Sequence, residues 1–165
     1  MKLMVQGQRG SRQRGSSFVE AAFVLLPLFA LLFAIIDFSM AIFMRSTFQN
    51  AVREGVRYAV TYQTMSGMCH DASIKEVVKS GALGFLSSPA NEALIHVRYY
   101  LPTDLSTEVT GPGSNAPGNI VEIAVENYNW GWMAPLLRSR NPLILSTYAA
   151  DRMEGLPGGT SPPCR

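Results

Sequence analysis

Histidine and cysteine are scarce in this chain, with two of each in 165 residues, and charged side chains make up only 16% of it. Each shortage excludes something. Cys69 and His70 stand together without further ligands at zinc spacing, so no metal site is expected, and His96 falls on a predicted strand as an ordinary sheet residue. The G-x-S-x-G and P-loop signatures are missing. Gly111-Pro112-Gly113-Ser114-Asn115-Ala116 fits a loose G-x-G-x-x-A pattern, but it does not open a helix and its prolines lack the amides a phosphate needs. Asp71, Asp104, Glu108, Glu122 and Glu126 form no readable acid pair. The sequence therefore offers no catalytic residue, no cofactor site and no metal site, and no enzyme is expected.

What the chain has instead is a long apolar run. Ala21 to Ile36 carries no charge, and after Asp37 the run resumes to Met44, giving about 24 positions with one acid against the ~20 that span a bilayer. Lys2, Arg9, Arg12 and Arg14 precede it. Removing those four from 14 basic residues leaves 10 against 12 acids. By the positive-inside rule the basic end stays in the cytoplasm, and everything after Arg45 lies outside a bacterial inner membrane. The exported part has no basic patch, so nucleic acid is not an expected partner.

The spacing predicts an α+β protein in four parts. Residues 1–15 are a basic leader whose composition suits a segment removed by processing. Residues 16–44 form a transmembrane helix, residues 45–62 its continuation in water, and residues 63–165 a periplasmic or extracellular domain. Ser16 and Ser17 offer capping hydroxyls at the start of the helix, Glu20 lies near the positive end of its dipole, and Pro27 should kink it. Glu20 reads either as a headgroup-level cap or as a carboxylate that meets a positive group on another subunit. Asp37 reads either as an acid reaching the outer headgroups or as a contact with another helix. Phe48, Val52, Val56 and Ala59 recur at helical spacing, so that side must lie against the following domain or a second helix.

A second helix is expected from Asp71 or Ser73, with Ile74, Val77, Val78, Leu83 and Leu86 as its stripe, ending at Ser87-Ser88-Pro89. Three β-rich runs follow, 92–101, 119–128 and 142–150, which suit a roughly three-stranded antiparallel sheet. The stretch from Pro102 to Gly118 reads as a mobile surface loop. Trp130, Trp132, Met133, Leu136 and Leu137 form an apolar knot for the sheet edge or the headgroup layer. Cys69 and Cys164 permit a single pairing in an oxidising compartment, and the bridge would be the only tether of the tail; two free thiols are the alternative.

Gly15 followed five positions later by Glu20, and then by an apolar helix, resembles the processing signal of type IV pilin-like proteins. The run from Val19 to Val60 is similar to the TadE-like minor pilins, or pseudopilins, of the tight adherence (Flp pilus) secretion system. Glu20, Pro27, Asp37-Phe38 and Ala51-Val52-Arg53-Glu54-Gly55-Val56-Arg57-Tyr58-Ala59 carry the likeness, although Ala21 rather than an aromatic follows the acid. The resemblance implies cleavage after Gly15 by a prepilin peptidase, which frees the amine of Ser16. It implies subunit contact through Glu20 and Asp37, and Arg53, Glu54, Gly55, Arg57 and Tyr58 as a helix-surface motif. The implied partners are that peptidase, other pilins or pseudopilins, an inner-membrane assembly platform and membrane lipid, with display in a surface pilus or retention in the envelope. Two other readings stay open: a secreted domain behind a signal peptide cut near Ala41, and a single-pass anchored envelope protein with no assembly role.

Overall fold

A computed structural model describes residues 13–132, 142–156, 158 and 160–165, with side chains from residue 17 on. The first helix, α1, runs unbroken over Gln13–Val60 with Pro27 inside it. Ser16 and Ser17 lie inside it rather than at its N-cap. From Ser17 to Ile36 no residue is buried, its most apolar 18-residue window included. From Ala41 on it enters a core. Met44, Phe48, Ala51, Val52, Val56 and Ala59 are buried at helical spacing, so the periodic stripe is one face of a single helix. The surface it lies against is the chain's own domain.

That domain is built from α2 (His70–Gly81), a short turn of helix α3 (Pro89–Glu92), and strands β1 (Ile95–Leu101), β2 (Asp104–Glu108), β3 (Ile120–Trp130) and β4 (Leu143–Arg152). The sheet is four-stranded and antiparallel in the order β2-β1-β3-β4. On β1, Ile95, Val97 and Tyr99 face inward, and on β3 so do Val121, Ile123 and Val125, as a two-residue period requires. α1 and α2 cover this inner face, with Phe48 meeting Tyr128 edge-on at 5.0 Å and Phe85 at 6.3 Å between ring centres. The outer face carries Arg98, whose guanidinium forks onto Glu126 at 2.6 and 2.9 Å and reaches Glu122 at 3.3 Å.

Several sequence expectations need correction. The Pro102–Gly118 stretch is not simply a loop, because Asp104–Glu108 turns back and pairs with Tyr100 and Leu101 as β2. Asp104 supports the turn by accepting from the Ser106 amide at 3.0 Å. Beyond β2 the stretch is pinned at Ser114 and Asn115, each 1% exposed, while residues 110–113 face solvent. β1 begins at Ile95 rather than Glu92, since Ser88 caps a helical turn with proline in its first position. α2 is preceded by Cys69, so Asp71 and Ser73 lie inside it rather than before it. It ends at Gly81, and Leu83, beyond it with φ of 52°, leaves the stripe for solvent while Leu86 stays buried. β3 contains a bulge between Val125 and Tyr128, where Asn127 takes a φ of 60°. Met133, Leu136 and Leu137, like the leader 1–12, lie outside the described residues.

Candidate anchor helix and the clasp above it

α1 divides by environment into a bare half and a packed half. Glu20 is exposed on the bare half among Phe18, Val19 and Phe23. Gly15 and Ser16 lie in the same continuous helix. Asp37 marks the change: it is 1% exposed, so its carboxylate already faces protein within a single chain. One residue on, Phe38 meets the ring of Trp132 at 5.7 Å.

The helix-surface motif separates by face. Arg53, Glu54 and Arg57 point to solvent, and the two arginines line an open groove between α1 and β4 together with Asp151 and Glu154. Gly55 points the other way. A β-carbon built there would come within 2.6 Å of Val78 Cγ2 and 3.2 Å of Ile123 Cδ1, so glycine is what lets α1 press against α2 and β3 at once. Gly81 of α2 makes the reciprocal approach, since a β-carbon built there would lie 3.2 Å from Ala51 Cβ. Tyr58 is half-buried against the core.

Above the end of α1 sits a polar clasp that sequence reasoning missed. Cys69 and Cys164 are bridged, with Cα atoms 5.0 Å apart. The tail is held by much more than the bridge. The His70 amide donates to the Cys164 carbonyl at 2.7 Å, and Asn115 Nδ2 to the Pro163 carbonyl at 3.0 Å. Arg165 donates through Nε to Asp71 Oδ2 and through a terminal nitrogen to Ser114 Oγ, both at 2.6 Å, and lies over the Tyr99 ring at 4.8 Å. The expectation of a single tether therefore fails: a lone terminal arginine has no periodicity to betray it.

His70 is the pivot. Its ring stacks on Tyr62, its Nε2 faces the Ala59 carbonyl at 3.2 Å, and its Nδ1 faces the Tyr99 hydroxyl at 3.3 Å. That hydroxyl donates to Asp71 Oδ1 at 2.8 Å. With Nε2 facing a carbonyl, that nitrogen carries the proton of the neutral ring. Burial pushes the imidazole below its ordinary value, against the pull of Asp71 and of the carbonyl. Burial, ahead of Asp71, raises the Tyr99 hydroxyl. The arrangement is suited to holding the last turn of α1, the start of α2 and the tail in one register. Elsewhere, His96 lies 3.7 Å from Glu126 on the outer sheet face. Among the described residues no group of three or more His, Cys, Asp or Glu side chains is set to hold a metal ion.

The family model described as TadE-like protein matches residues 15–57, from the foot of the bare half of α1 to Arg57 in the packed half. No curated protein and no solved structure matches the chain. Over residues 15–57, and there alone, the chain is therefore similar to the TadE-like proteins.

Proposed function

We propose that the chain is a structural minor pilin, or pseudopilin, of a tight adherence (Flp pilus) apparatus. In this reading α1 anchors it in the bacterial inner membrane with its basic end in the cytoplasm and residues 63–165 outside. One observation carries the reading: the family match spans the boundary at which α1 passes from a bare apolar rod into the core of a bridged domain. A rod of that kind leaves its apolar side chains for lipid before assembly and for neighbouring helices after it.

A prepilin peptidase cuts after Gly15, and the new amine of Ser16 on one subunit meets the exposed carboxylate of Glu20 on the next. Such a pair is strong where little water reaches it and sets the axial register between subunits. Other pilins and the inner-membrane assembly platform take the bare half of α1, and the sheet domain supplies the exposed surface. A signal peptide cut near Ala41 fits poorly. It would open α1 between the buried Ala41 and Met44 and discard the buried Asp37 together with Phe38, whose ring meets Trp132.

The test is Glu20→Ala in cells that assemble the apparatus. The substituted protein stays in the membrane fraction and loses co-purification with other subunits and surface display. Unchanged display and co-purification would contradict the shared-charge role.

A further inference from the structure

The far end of the sheet domain returns to α1 at the level where its apolar run ends. Trp132, two residues beyond β3, meets the Phe38 ring at 5.7 Å, and Leu143, which opens β4, pairs across the ladder with Trp130. Between this end of β4 and α1 lies an open groove of about 420 Å³ whose walls include Phe38, Ile42, Arg45, Leu143, Ile144 and Ser146. Ile42 is 67% and Ile144 59% exposed, so its lip is apolar, with one cation, Arg45, at its upper side.

The depth of this groove follows from helix geometry. At ~1.5 Å per residue α1 rises about 30 Å between Ser17 and Asp37, the thickness of a hydrocarbon core. Phe38 to Arg45 then occupies the next layer, where phosphates and glycerol backbones lie. Three features fit that placement independently. Asp37, at the hydrocarbon edge, is withheld from lipid by the chain's own residues. An indole stands at the level where tryptophans favour the membrane boundary. The apolar lip is continuous with the bare half of α1.

We propose that this groove seats a phospholipid of the outer leaflet, with its phosphate on Arg45 and its glycerol backbone and the first methylenes of its chains against Ile42 and Ile144. The domain then stands on the bilayer instead of swinging from a tether, which fixes its orientation before assembly. The proposal rests on the reading that α1 spans the membrane.

The chain's only two tryptophans are at this end, so their emission reports on it. Full-length protein carrying Trp130→Phe is reconstituted in phosphatidylethanolamine and phosphatidylglycerol vesicles and floated to establish insertion. Lipid brominated near the headgroup end of its chains lowers Trp132 emission about twofold, and lipid brominated near the methyl end does much less. Arg45→Glu relieves that quenching, whereas Arg53→Glu, about 12 Å further along the helix, does not. Floated protein whose Trp132 emission ignores both lipids overturns the seat while leaving the anchor intact. Protein that does not float overturns both, and quenching unaltered by Arg45→Glu removes the phosphate from that residue. If Trp130→Phe does not fold, the same titration on the unsubstituted chain gives the same decision.

Discussion

Gly55 and Val78 approach so closely that a single methyl group on the glycine would sit 2.6 Å from Val78 Cγ2. The neighbour that must yield is a buried β-branched residue on α2, whose side chain has little rotamer freedom in a helix. Gly55→Ala therefore raises intrinsic helix propensity by about 1 kcal/mol yet lowers the stability of the domain by about 1–3 kcal/mol through overpacking. Urea unfolding followed by circular dichroism checks it. A midpoint equal to or above that of the unsubstituted chain would show that α2 can retreat.

The Cys69–Cys164 bridge closes a loop with a sequence separation of 95. In the chain-entropy account, Cys69→Ser with Cys164→Ser costs about 4–5 kcal/mol, an upper value because the tail keeps its hydrogen bonds. Arg165→Ala alone should cost less, about 1–3 kcal/mol, by leaving Asp71 short of a charged partner. Electrophoresis with and without reductant detects the bridge, and unfolding midpoints rank the two variants. A larger loss for Arg165→Ala would reverse the order of importance.

Two groups give the domain a pH dependence in different windows. Burial lowers His70 in the folded state, so the stability it contributes is complete above its unfolded value of about 6.5 and is lost as pH falls below it. The groups facing it are Asp71, Tyr99, Tyr62 and, through Asp71, Arg165. The Arg98 fork lowers Glu126, so its contribution is lost only as pH falls below about 4.5. His70→Gln should flatten the upper part of the stability profile and Glu126→Gln the lower part. A profile level between pH 7 and 5 would contradict the account of His70.

The packed half of α1 was legible because Phe48, Val52, Val56 and Ala59 repeat with the helix and nothing else explains that spacing. Val121, Ile123 and Val125 likewise announced their strand. What escaped notice depends on distant partners. Asp-Leu-Ser-Thr-Glu lacks the β-branched and aromatic density of a strand and becomes β2 only because Tyr100 and Leu101 offer it an edge. Ser88-Pro89 followed by Asn91 and Glu92 did carry a capping signal for α3, read instead as the end of a helix. The clasp was out of reach, since His70, Asp71, Tyr99, Ser114 and Arg165 meet only once the sheet has formed. Gly55 was visible as part of a motif, but its reason, the closeness of Val78 and Ile123, belongs to packing.

The whole account turns on a rod that is shortened at its cytoplasmic foot and otherwise kept. The N-terminal residue of the protein recovered from its own membranes, read by intact mass and terminal sequencing, tests this most directly. Ser16 is the predicted result. Ile42 would mean that the apolar helix is discarded after export, and an uncut Met1 would leave an anchor without the amine on which subunit pairing through Glu20 depends.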